Sequence, residues 1–125
     1  DYRHNISIVG LTQKGGHKEI AAIGSYAKEG DDRAEVAFVV REDCQGQGIG
    51  SYLLELLEVI AKENGYTAFV ATVLRENASM LQVFKKRYPG AQMTFSSGSE
   101  VLVHMDFADT KADPEARPEA GARAD

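Results

Sequence analysis

A glycine-rich segment, Gln45-Gly46-Gln47-Gly48-Ile49-Gly50-Ser51, stands between a strand-like run and the clearest helix of the sequence, and this placement constrains the fold more than any other feature. Residues 33–41 alternate, with Val36, Phe38 and Val40 on one face and Glu35, Ala37, Val39 and Arg41 on the other, the period of a β-strand. Over residues 48–64 the period changes to three and four. Ile49, Tyr52, Leu53, Leu56, Leu57 and Ile60 make one stripe, Glu55, Glu58, Lys62 and Glu63 oppose it, and Gly65 stands where a helix stops. Residues 67–74 are apolar on both faces, which reads as a central strand covered on both sides. Strand, helix and strand in that order predict a right-handed parallel crossover within one sheet.

The flanks extend that sheet. Residues 6–11 and 19–27 read as an antiparallel hairpin around Gly15-Gly16. Met80, Leu81, Phe84 and Tyr88 predict a helix from Asn77 to the stop at Pro89-Gly90, and residues 92–95 and 101–107 read as a closing hairpin. The expected class is α+β, a mixed, mostly antiparallel sheet with one central parallel crossover. At 125 residues the chain fits one domain, since domains run to roughly 100–200 residues. Past residue 108 the apolar content falls to alanine among prolines and acidic side chains. The expected division is a domain over 1–108 and a flexible tail over 109–125.

Charge and composition exclude several functions. The net charge of −5 argues against nucleic acid or an anionic membrane as the main partner. The longest apolar runs, residues 36–40 and 68–71, fall far short of the roughly 18 residues of a membrane span. Cys44 is the single cysteine, so no internal disulfide forms, and no signal-peptide pattern opens the chain; the expectation is a cytoplasmic protein. His4, His17 and His104 lack ligand spacing, so no metal is expected. Cys44 carries no cue to a lowered thiol pKa and reads as incidental.

The glycine segment reads in two ways, as a plain turn that starts a helix or as a phosphate cradle. Glycines admit a ligand close to the backbone, and a helix N-terminus offers unpaired N–H groups and partial positive charge. A P-loop needs Lys then Ser or Thr after its last glycine, but Gly50 is followed by Ser51 and Tyr52. A dinucleotide fingerprint needs glycine at position 51 and a shorter approach from the strand; Glu76, after the next strand, is the acid that would meet a ribose.

Gln45-x-x-Gly48-x-Gly50, after a strand and opening a helix, resembles the Q/R-x-x-G-x-G/A signature of the GNAT superfamily of acyl-CoA N-acyltransferases. The element order resembles the three-layer GNAT fold as well. Ala34-Glu35-Val36-Ala37-Phe38 is similar to the catalytic strand of lysine acetyltransferases, with Glu35 ten residues ahead of Gln45, and Leu74-Arg75-Glu76-Asn77 with Met80-Leu81 is similar to the module of bacterial Pat-type protein lysine acetyltransferases. The resemblance covers residues 6–107. Two departures stand out. The family usually has a strand and one or two helices before the point where this sequence begins, so the expectation is either a domain truncated at its N-terminus, a fragment of a longer chain with other domains, or a neighbouring module that supplies them. Where many small-molecule members carry a tyrosine general acid, this chain has Phe84, with Tyr88 one turn further on.

The resemblance implies transfer of acetyl from acetyl-CoA to an amine, most naturally a protein lysine, directly within a ternary complex. A lysine amine with a pKa near 10.4 is nucleophilic in only about one molecule in 2,500 at pH 7, a cost of about 4.6 kcal/mol. Glu35, on a partly desolvated strand face, is the expected general base, its other reading being an edge glutamate in solvent. Backbone amides near Val39 and Val40 are expected to hold the pantetheine arm and polarise the thioester carbonyl. Gln45, Gly46, Gln47, Gly48, Ile49, Gly50 and Ser51 are expected to hold the pyrophosphate, and Asn77 the pantetheine region while it caps its helix. Lys85-Lys86-Arg87 reads first as a charged outer helix face and second as a partner for the 3′-phosphate of coenzyme A. The alternatives are a small-molecule amine acetyltransferase and a non-catalytic acyl-CoA-sensing domain of a larger protein.

Overall fold

The computed structural model describes residues 4–96 and 98–110, in which a six-stranded sheet carries both helices on one face. Strands β1 (Asn5–Lys14) and β2 (His17–Lys28) form the first hairpin. Its turn is two residues long, Gly15 and Gly16, with φ of 59° and 84°, the left-handed backbone whose twist matches that of paired strands. Pairing therefore runs on through the polar Gln13↔Lys18 and Lys14↔His17 positions, and both strands outlast their apolar runs. Strand β3 (Arg33–Val40) pairs antiparallel with β2, and a 3-10 turn (Glu42–Cys44) leads to α1 (Ile49–Glu63). Strand β4 (Ala68–Leu74), α2 (Ala78–Arg87), β5 (Gln92–Phe95), β6 (Glu100–Asp106) and a 3-10 turn (Phe107–Asp109) complete the described chain. The sheet order is β1-β2-β3-β4-β6-β5, and β3–β4 is its one parallel pair. This is the mixed sheet with a parallel crossover that the sequence predicts.

The core fills the space between helices and sheet. Leu54, Leu57 and Ala61 of α1 and Phe84 of α2 pack with Tyr26, Val36, Phe69, Val103 and Met105, all buried, each large side chain contributing about 1.5–3 kcal/mol on burial. The face of α1 turned inward differs from the predicted stripe: Leu54, Glu58 and Ala61 are buried, whereas Tyr52 is exposed. The other sheet face also departs from expectation. Thr72 and Leu74 of β4 are exposed and Val70 is half-buried, so the described residues cover this strand on one side rather than two.

Gly24 fits Phe38 into this core. The two are cross-strand partners, and a Cβ at position 24 would stand 2.9 Å from the Phe38 ring and 3.3 Å from Leu57 Cδ1. Overpacking of this kind costs about 1–3 kcal/mol. Gly24→Val is therefore expected to lower the urea midpoint by that equivalent despite valine's better strand propensity; an unchanged midpoint would show that Phe38 has room to move.

The predicted tail lies mostly outside the described residues, but its first positions are held. Asp109 belongs to the last 3-10 turn, and Thr110 Oγ1 donates to Phe107 O at 2.8 Å and to the Glu58 carboxylate at 3.2 Å.

Candidate functional site

Strands β3 and β4 pair at only three positions, Arg33↔Ala68, Ala34↔Phe69 and Glu35↔Val70, and then part. Backbone bonding alternates along a strand. Arg41 donates its amide to Ala21 O beside β2, while Asp32 O accepts from Thr67 N–H beside β4. Odd positions of β3 therefore bond toward β2, and even positions face β4. Past Glu35 the backbone groups of Phe38 and Val40 open into the split, and those of Val39 turn to β2.

The glycine loop crosses the end of this split. Its entry is fixed by Arg41, whose guanidinium bonds Asp43 at 2.7 Å and Glu19 at 3.0 Å. The hydrogen bond from Arg41 holds the Asp43 carboxyl well below the usual carboxylate range. Gln45 Nε2 donates to Val40 O at 3.1 Å and Gln47 Nε2 to Asp43 O at 3.4 Å, so both glutamine side chains tie down the loop. Between them the chain turns at Gly46 and Gly48, with φ of 79° and 84°. A Cβ at either glycine would meet no atom within 4 Å, which leaves an open cradle. Gly48 caps α1 without a side chain, and the first bond of the helix is Tyr52 N–H to Gly48 O. The amides of Ile49, Gly50 and Ser51 consequently have no acceptor within the helix, and the helix dipole adds partial positive charge there.

Helix α2 forms the opposite wall. Asn77 caps it, its Oδ1 accepting from Met80 N–H and from Ser79 Oγ, each at 3.2 Å. The resulting groove of about 290 Å³ is lined by Phe38 and Val40, by Gln45, Gly46, Gly48, Ile49, Gly50 and Ser51, and by Asn77, Ser79, Met80, Gln82, Val83 and Lys86. Eight of the expected site residues thus come together: Val40, Gln45, Gly46, Gly48, Ile49, Gly50, Ser51 and Asn77.

Three do not line it. Gln47 is spent on Asp43 O, while Val39 is 70% exposed on the far face of the sheet. Glu35 shares that face and is exposed, so the desolvation expected of it is not supplied by the described residues. It does stand at the last paired position, where the strands begin to part. Sequence reasoning missed Phe38, Ser79, Met80, Gln82 and Val83 as groove residues. The signal was present as Ser79, Gln82, Val83 and Lys86 at helical spacing, but the apolar stripe through Leu81, Phe84 and Tyr88 masked it.

Neither aromatic position of α2 offers an acid to the groove. Phe84 is buried against Phe38, with ring centroids 6.1 Å apart. Tyr88 is fully buried and donates its hydroxyl to Glu58; burial first, and the Glu58 charge second, push its pKa up. Among the described residues no three His, Cys, Asp or Glu side chains gather as a metal site would, and no helix is long and apolar enough to cross a membrane.

A sheet that splits at its one parallel pair, with a glycine loop and a helix N-terminus at the split, defines the acetyltransferase domain of the GNAT type. The chain belongs to the Acetyltransferase (GNAT) family, whose sequence profile matches residues 2–88. Acetyltransferase Pat of Mycolicibacterium smegmatis is 39% identical over 69 residues, 54% of this chain and 21% of that protein. The GNAT domain of S. lividans PAT superposes with a TM-score of 0.70 at 31% identity, over 85% of this chain and 62% of that one. A cAMP-binding acyltransferase from Mycobacterium smegmatis superposes with a TM-score of 0.71 at 31% identity, over 92% of this chain and 36% of that one. The chain thus spans about a fifth of the curated relative and less than two thirds of either structure.

Proposed function

We propose that the chain is an acetyl-CoA-dependent N-acetyltransferase module whose acceptor is a lysine side chain of a protein. The observation that carries this reading is the split between β3 and β4, flanked by the glycine cradle on the helix-bearing face and by Glu35 on the other. The residues fit coenzyme A: the open space above Gly46 and Gly48 admits a phosphate, and the unpaired amides of Ile49, Gly50 and Ser51 suit its charge. Bound acetyl-CoA supplies an activated acetyl thioester. Val40 presents its amide in the split as a donor to the carbonyl oxygen, and Asn77 lines the wall where the pantetheine arm would lie. Glu35, directly or through one water, takes the proton from an amine that approaches across the open face. Donor and acceptor then meet from opposite sides of the sheet, which supports direct transfer in a ternary complex. Similarity to Acetyltransferase Pat and to the Pat-type module supports a protein acceptor.

Calorimetric titration with acetyl-CoA tests the reading, with NAD as the control. Acetyl-CoA is expected to bind and NAD to be ignored. Gly48→Val, which strains a left-handed backbone and places methyl groups in the cradle, should weaken acetyl-CoA binding about tenfold or more. Binding of NAD in place of acetyl-CoA would overturn the assignment. Acetylation of free polyamines or amino acids but not of protein lysines would move the acceptor to small amines, and binding without any transfer would make the module a sensor.

A further inference from the structure

The face of the sheet turned away from the helices carries a second titratable group in line with Glu35. Glu35 pairs with Val70, Val70 with His104 and His104 with Gln92, so the four residues form one row across β3, β4, β6 and β5. Their chain neighbours Val36, Phe69 and Met105 are buried in the core, so Glu35, Val70 and His104 project together from the other face. Glu35 is exposed there, and Val70 and His104 are half-buried. Adjacent strands lie about 4.8 Å apart, which sets the backbones of Glu35 and His104 about 10 Å apart with the Val70 side chain between them. Among the described residues, β4 and β5 set no titratable side chain beside His104. Asp106, two residues along β6 on the same face, caps the last 3-10 turn by accepting from Ala108 N–H at 2.9 Å. Arg33, one row from Glu35, is bound to Glu29 at 2.6 Å. His104 itself has no hydrogen-bond or ion-pair partner among the described residues.

Resting on the reading of Glu35 as the base, we propose that His104 carries away the proton that Glu35 takes from the acceptor amine. An acceptor protein laid across the open face shuts bulk water out of the row, and the proton then needs a way out. A carboxylate holds a proton poorly at pH 7, whereas imidazole both takes up and gives up a proton near that pH. In the step itself the N–H bond of the lysine ammonium breaks and its electron pair stays on nitrogen for the attack. The proton passes to the Glu35 carboxylate, crosses over Val70 through one bridging water to a ring nitrogen of His104, and leaves from there to solvent. His104 does not touch the reacting atoms; it acts through Glu35.

The test is steady-state acetylation of a lysine-bearing peptide by the 125-residue chain, by His104→Ala, by Glu35→Gln and by the double variant. His104→Ala is expected to lower kcat about 10²-fold, the low end for a positioned proton acceptor, with KM for acetyl-CoA unchanged because that ligand lies on the other face. Imidazole added to the buffer should restore much of the rate of His104→Ala and none of that of Glu35→Gln. The double variant should be no slower than Glu35→Gln alone, since a carrier with nothing to receive is already idle. A readout apart from turnover is carbethoxylation by diethyl pyrocarbonate. The peptide should protect His104, acetyl-CoA alone should not, and His17, 73% exposed at the hairpin turn, should react throughout. A normal rate in His104→Ala, a deficit that imidazole does not relieve, losses that multiply in the double variant or an unprotected His104 would each overturn the proposal and leave Glu35 as the base. No transfer by the wild type would overturn both.

Discussion

Glu35→Gln is expected to lower the rate of acetyl transfer by about 10²–10⁴-fold while leaving acetyl-CoA affinity unchanged. The magnitude follows from the acceptor. A lysine amine at pH 7 stands about 4.6 kcal/mol from its nucleophilic form, and Glu35 is the one carboxylate on the two strands that part, β3 and β4. Glu35 holds the last position of the β3–β4 ladder, opposite Val70. Its affinity for acetyl-CoA should survive replacement because its side chain projects from the face away from the groove and does not line it. A pH profile separates a base from a structural carboxylate. As pH rises toward 10 the amine supplies its own nucleophile, so the deficit of the variant should shrink with increasing pH. A deficit that is the same at every pH would mean that Glu35 shapes the strand, and no deficit would mean that it is a solvated carboxylate on an open sheet.

The sequence carries the order of elements because each is written in a local period. The hairpins, the extent of α1, Gly65 behind it and the Asn77 cap all fall where residue spacing and cap chemistry put them. What the spacing did not carry depends on which neighbour an element meets. Glu58 belongs to the polar side of α1 by sequence, yet it is buried, because Arg87 and Tyr88 of another helix arrive over it. The glycine loop was legible as a cradle, since glycine content and helix position are local facts. The inner wall of α2 was not, because Ser79, Gln82 and Lys86 look like any solvated helix face until the split in the sheet is set opposite them. Val39 and Val40 differ only by the alternation of strand hydrogen bonds, which is settled by pairing with β2 and not by either residue.

Glu58→Ala is expected to cost about 3 kcal/mol of folding stability, the lower end of the range for breaking a buried ion pair. The Glu58 side chain is 3% exposed and accepts from Tyr88 hydroxyl, from Arg87 Nε at 3.0 Å, from Lys62 Nζ at 2.9 Å and from Thr110 Oγ1 at 3.2 Å. Removing it strands a buried hydroxyl and two cations, although Lys62 and Arg87, at 52% and 26% exposure, recover part of the loss in water. Acid should erase the difference. Burial by itself would raise the Glu58 pKa, but the hydrogen bonds from Tyr88 and Lys62 and the charge of Arg87 outweigh it and hold the carboxyl below its usual range. A carboxylate with a depressed folded pKa contributes stability that is present above its unfolded pKa of about 4.3 and is lost as pH falls through the folded value. Urea midpoints of wild type and variant should therefore differ most at pH 7 and converge as the carboxyl is protonated in acid; a gap that stays constant would mean that the loss is one of packing. The same cluster joins α1, α2 and the segment at Thr110, so it fixes the wall that bears Lys86 against the helix whose N-terminus forms the cradle. If it does so, Glu58→Ala should weaken coenzyme A binding at temperatures well below its own midpoint, although Glu58 does not line the groove.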